Sequence, residues 1–113
     1  MSDSPSCPRV DNVRDLEQAL NEKNRLIAMV YASWCPFCRK AVPVFEGLAR
    51  DEERNLLLVE DDQEQVADLY GIDVFPTLIL FEKGLIVKRL DGKPGLGLHD
   101  KQMADFIQSC PLL

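Results

Sequence analysis

The sequence lacks any apolar run long enough to cross a bilayer: its longest stretches, Leu26 to Tyr31 and Thr77 to Phe81, reach about six residues, against the roughly 20 a spanning helix needs. It also lacks a basic excess. With 13 Lys+Arg against 19 Asp+Glu the formal charge is −6, so the positive footprint that selects phosphate backbones and anionic lipid is missing. Neither nucleic acid nor membrane is expected as a partner. The opening Met1-Ser2-Asp3-Ser4-Pro5-Ser6 has no basic start and no apolar core, so it does not read as a secretory signal. A cytoplasmic residence is expected.

Cysteine is sparse too, 4 in 113 residues, far below the density of a disulfide-stapled scaffold. The 46% hydrophobic content suffices for an ordinary core. This length supports one core and not two. The expectation is a flexible N-terminal tail over residues 1–9, then a single domain over 10–113, monomeric. The cysteines are unevenly placed: a close pair, Cys35-Pro36-Phe37-Cys38, and two isolated residues, Cys7 and Cys110.

Hydrophobic periodicity gives the elements. Val13, Leu16 and Leu20 mark one face of a helix that Asn12 can cap. Leu26 to Tyr31 and Leu56 to Val59 read as strands buried on both faces, as in a parallel sheet. Ala41, Val44, Phe45 and Leu48 repeat the helical stripe, with Pro43 inside it as a predicted kink. Val66, Leu69 and Tyr70 form one side of a short helix ended by Gly71 in the left-handed region. Thr77 to Phe81 and Leu85 to Leu90, joined by Glu82-Lys83-Gly84, predict an antiparallel hairpin. Met103, Phe106, Ile107 and Cys110 form a last helical stripe. Such alternation ending in a hairpin gives an α/β fold, a central mixed β-sheet flanked by helices on both faces.

Cys35 falls where a strand-to-helix loop ends, so its sulfur faces unsatisfied amides and the positive end of a helix dipole. Thiolate is the nucleophilic form of cysteine. Cys38, three residues on, lies on the same helix face and can resolve a mixed disulfide formed at Cys35. Pro36 suits the first helical turn, where its missing N–H is no loss. Trp34 and Phe37 would flank the sulfur with apolar surface. A closed zinc site needs four ligands. Cys7, Cys110 and the single His99 show no paired spacing with the C-x-x-C, so neither a metal nor a cofactor is expected. His99 reads as a surface residue, Cys110 as a small buried hydrophobe, and the acidic runs Asp51-Glu52-Glu53 and Glu60-Asp61-Asp62 as solvated ends of elements.

Trp34-Cys35-Pro36-Phe37-Cys38 behind a buried strand, Pro43 eight residues after Cys35, and Tyr70-Gly71-Ile72-Asp73-Val74-Phe75-Pro76-Thr77 together resemble the thioredoxin family, from about Val10 to Cys110. The resemblance implies the thioredoxin fold, a cis Pro76 facing the dithiol, Phe75 offering backbone hydrogen bonds to an extended substrate, and Gly92 lining the substrate groove. It also implies a protein-disulfide reductase acting through catalytic Cys35 and Cys38, recharged by an NADPH-dependent thioredoxin reductase. Lys93-Pro94-Gly95-Leu96-Gly97 looks like an insertion relative to the family, able to reshape the partner surface.

The chain departs from the family in two places. The dipeptide is Pro36-Phe37 where thioredoxins usually have Gly-Pro, an order more like glutaredoxins. Met29 stands six residues before Cys35, where thioredoxins bury an aspartate that assists proton transfer, and the lysine partnering it has no counterpart in Leu56-Leu57-Leu58-Val59. The dithiol is therefore expected to titrate without coupling to a buried carboxyl, although Asp61 or Glu60 could in principle substitute from the neighbouring strand end. The reduction potential is expected to be somewhat less reducing than a typical thioredoxin's. Competing readings are a disulfide oxidase or isomerase, a glutathione-linked glutaredoxin-like enzyme, and a non-catalytic binding module of the same shape.

Overall fold

The computed structural model describes residues 7–50 and 55–111. The first six residues of the expected tail and the acidic run Asp51-Glu52-Glu53 lie outside the described residues. The elements follow in the order β1 (Arg9–Val10), α1 (Val13–Glu22), β2 (Arg25–Tyr31), α2 (Pro36–Arg50), β3 (Leu56–Glu60), α3 (Gln65–Tyr70), β4 (Thr77–Glu82), β5 (Leu85–Asp91) and α4 (Asp100–Ser109). The strands make one mixed sheet in the order β1-β3-β2-β4-β5. β2 pairs parallel with β3 and antiparallel with β4, so its unbroken apolar run has a strand on each edge and a helical layer on each face.

Alternation along the strands divides the core. Ile27, Met29, Tyr31, Leu56, Leu58, Leu78 and Leu80 point to one face, where they pack with Ala41 and Phe45 of α2 and Met103, Phe106 and Ile107 of α4. Leu26, Ala28, Val30, Leu57, Val59, Ile79 and Phe81 point to the other, against Leu16 and Leu20 of α1 and Val66 and Ala67 of α3. The expected mixed sheet with helices on both faces is thus present. Asn12 caps α1 by accepting the Asp15 N–H at 2.8 Å, and Gly71 ends α3 at φ +65°. α2 runs on across Pro43, which stands on its exposed side.

Two expectations are corrected, and one further feature of the sheet is notable. Residues 7–9 are not loose tail: Arg9–Val10 pair parallel with Leu58 and Val59, Pro8 accepts the Leu58 N–H at 2.9 Å, and Cys7 is buried in the core. Two residues suffice because β3 otherwise has an unpaired edge. Leu69 is exposed, and Ala67 takes its place beside Val66 under the sheet. β5 is less buried than its composition implies, with Leu85, Ile86 and Val87 exposed, because it is an edge strand that the helices do not fully cover.

Candidate active site

The site forms where the C-terminal end of β2 turns into α2. Cys35 immediately precedes the helix and Pro36 is its first residue, so the ring occupies a position whose N–H has no helical partner. The Cys35 carbonyl accepts the Cys38 and Arg39 N–H groups at 3.1 and 3.3 Å, which holds the two cysteines in the first turn. Both are free thiols. Burial, then the hydrogen bond with Cys35, pushes the Cys38 thiol well above the ordinary thiol range. No carboxylate contributes to that shift, in keeping with Met29, wholly buried in the same face of the core.

Opposite the dithiol the Phe75–Pro76 peptide bond is cis. The Cys35 Sγ lies 3.8 Å from the Phe75 carbonyl oxygen, so Cys35, Phe75 and Pro76 come together as the sequence predicts. Gly92 is buried behind them, donating its N–H to the Pro76 carbonyl at 3.0 Å. A Cβ at Gly92 would sit 2.6 Å from that oxygen, so only glycine allows this approach. Trp34 is 52% exposed and meets the Phe75 ring edge-on at 5.7 Å. Phe37, 37% exposed, lines the same cleft as Cys35. A cleft of about 300 Å3 opens over Cys35 between Trp34, Phe37, Phe75 and Pro94.

The acidic turn after β3 is more specialised than a solvated strand end. Period-two alternation sends Glu60 and Asp61 to opposite faces. Glu60 lies in register beside Tyr31, accepts its hydroxyl at 3.2 Å and pairs with Arg9 at 3.9 Å. Asp61 is buried on the other side and accepts the Val66 and Ala67 N–H groups at 2.9 and 2.7 Å, so both oxygens cap α3. It is therefore not a substitute for the carboxyl missing at Met29. Asp62 anchors the loop that presents Cys35: it accepts the Ser33 N–H at 2.7 Å and the Ser33 hydroxyl at 2.6 Å, and its carbonyl accepts the Trp34 indole N–H at 3.2 Å. The two bonds from Ser33, its hydroxyl first and then its N–H, hold the Asp62 carboxyl below the usual carboxylate range. Composition alone hides such roles; the legible signal was the two-residue alternation carried past the end of the apolar run.

The remaining candidates fall outside the site. Cys7 donates weakly to the Leu56 carbonyl and Cys110 to the Phe106 carbonyl, both within the core. His99 is exposed at the start of α4, its N–H bonded to the Gln102 side chain at 2.9 Å. Among the described residues no group of three or more His, Cys, Asp or Glu converges to hold a metal, and no helix is long and apolar enough to cross a membrane.

Comparison with known proteins points the same way as the geometry. The thioredoxin profile matches residues 9–109. Thioredoxin from Alicyclobacillus acidocaldarius is 30% identical over 97 residues, covering 83% of this chain and 92% of its own. Thioredoxin H4 from Arabidopsis thaliana is 33% identical over 75 residues, and the chain spans 63% of that relative. Among solved structures, an N21Q mutant thioredoxin from Halobacterium salinarum superposes with a TM-score of 0.74 at 28% identity, over 96% of this chain and 95% of that one. A helix-terminal dithiol facing a proline, on this sheet order and with these relatives, makes the chain a member of the thioredoxin family, with that family's thiol–disulfide exchange chemistry in general.

Proposed function

We propose that this protein reduces disulfide bonds in client proteins through Cys35 and Cys38. The Cys35 thiolate attacks a client disulfide, a Cys35–client disulfide forms, and the first client sulfur leaves as a thiolate that takes a proton from solvent. Cys38 then gives up its proton and attacks the Cys35 sulfur. The second client thiolate departs, and the protein leaves with a Cys35–Cys38 disulfide, two electrons having passed to the client. An NADPH-dependent thioredoxin reductase restores the dithiol.

The observation that carries this reading is the position of the Cys35 sulfur beside the Phe75 carbonyl, with Cys38 buried behind it. An extended client can bond to the Phe75 backbone while its sulfur meets Cys35, and the protonated, buried Cys38 stays out of the first step. Trp34, Pro36 and Phe37 serve as the client-contacting surround together with Phe75, while Pro76 is buried and Gly92, buried behind it rather than lining the groove, acts by holding the Pro76 carbonyl. The test is insulin reduction with NADPH and thioredoxin reductase. Turnover is expected for the natural chain and none for Cys35→Ser, while Cys38→Ala accumulates covalent client adducts. A Cys35→Ser chain that still turned over would remove the role given to Cys35, and a Cys38→Ala chain that trapped nothing would favour a non-catalytic module.

A further inference from the structure

The loop over residues 93–97 is ordered by its own backbone. Lys93 donates to the Gly97 carbonyl at 3.1 Å, Gly97 to the Lys93 carbonyl at 2.9 Å and Leu96 to the same oxygen at 3.0 Å. The clasp is pressed against the active-site helix. Gly97 has φ +67°, and a Cβ there would lie 2.7 Å from the Phe37 Cβ, so the loop backbone rests on Phe37 at a distance only glycine permits. Leu98, the next residue, is buried and fastens the loop to the core. Leu96 is held the other way, 61% exposed.

Phe37 therefore stands between two clefts. One, about 300 Å3, holds Cys35, Phe75 and Pro94. The other, about 270 Å3, lies between Phe37, Leu96 and His99. Trp34, Phe75 and Phe37 line the first cleft, and Phe37 and Leu96 line the second with Lys40 and Asp100 at its edge, so Phe37 joins the apolar surface beside the reactive sulfur to Leu96. The far wall of the first cleft carries the Glu64 and Asp73 side chains, which disfavours acidic residues on that side of the client.

We propose that the 93–97 loop is a specificity element, in which Leu96 and Phe37 receive a large apolar side chain from an extended client segment whose disulfide is presented to Cys35. The proposal rests on the exchange reading above and narrows its substrate class. Removing an apolar side chain from water against two partly exposed apolar residues is expected to be worth about tenfold in kcat/KM.

The test is a panel of disulfide peptides, identical except that phenylalanine or serine is scanned along both sides of the target cysteine. The readout is the phenylalanine-to-serine ratio of kcat/KM within each protein. The natural chain is expected to favour phenylalanine by about tenfold at one or two positions. Leu96→Ser, a change on an exposed side chain that leaves the core alone, should cut that ratio to about twofold, and Gly97→Ala, which must displace the loop or Phe37, should lower it as well. A ratio near one in the natural chain, or one unchanged in Leu96→Ser, overturns the loop's role while leaving exchange intact. A natural chain that self-associates through Leu96 in sedimentation also overturns it. Failure to reduce any peptide contradicts the exchange reading itself.

Discussion

Gly92 and the buried cysteines show how much of this site depends on single atoms. A methyl group at Gly92 meets the Pro76 carbonyl at 2.6 Å, a contact that backbone must move to relieve. Gly92→Ala is expected to cost about 1–3 kcal/mol in urea denaturation and to lower insulin reduction as Pro76 shifts. Cys7 is raised by burial from 9.0 to about 11, and Cys38 is raised in the same direction by burial and by Cys35. Above pH 9 the unfolded chain gives up protons that the folded chain keeps, so stability present below that pH is lost as pH rises through the folded values. Urea midpoints measured under reducing conditions should fall from pH 8.5 to 10.5, and by less in Cys7→Ala. A flat profile would contradict the assignment of both thiols to the core.

Among the elements, the β4–β5 hairpin is turned by Lys83 and Gly84, both at positive φ, +53° and +79°, the pattern of a type I′ turn. Glycine is at ease there, but lysine is not. Lys83→Asn should raise stability by about 0.5 kcal/mol, since asparagine tolerates the left-handed region and the turn's backbone hydrogen bond to the Asn24 carbonyl is kept; a loss of stability in thermal melts would contradict the turn assignment. The hairpin, the central strands and the four helices were legible because each carries a period or a punctuating residue: Asn12 before α1, Gly71 after α3, Lys83-Gly84 between strands. β1 was not, since two residues have no period and their pairing depends on an edge supplied 49 residues later, where Leu58 and Val59 pair with Arg9 and Val10. Leu69 misled for a related reason. Periodicity reports apolar character, while exposure is set by which face the neighbouring layer covers. The cysteine pair, Phe75-Pro76 and Gly92 were visible as a site. Asp62, which fixes Ser33 and Trp34, and Gly97, which fits against Phe37, were not, because each acts on a neighbour brought close only by the folded chain.

Taken whole, the molecule places its chemistry at one end of a two-faced sheet, with the dithiol on the face shared by α2 and α4 and the acidic turn supporting it from the end of β3. The −6 charge gives no reason to expect nucleic acid or membranes as partners, and the proposed client surface is the apolar surround of Cys35. Whether electrons flow outward to clients is set by the dithiol's potential. The dipeptide between the cysteines carries no cation that would stabilise a thiolate, which favours a reductant, while Pro36-Phe37 in place of Gly-Pro shifts the couple toward intermediate values. Equilibration of Cys35 and Cys38 with a glutathione buffer measures it directly. A reductant of this kind should lie above the roughly −270 mV of thioredoxin and no higher than about −200 mV, the glutaredoxin range; a value near about −120 mV, that of a strong disulfide oxidant, would contradict the reductant role.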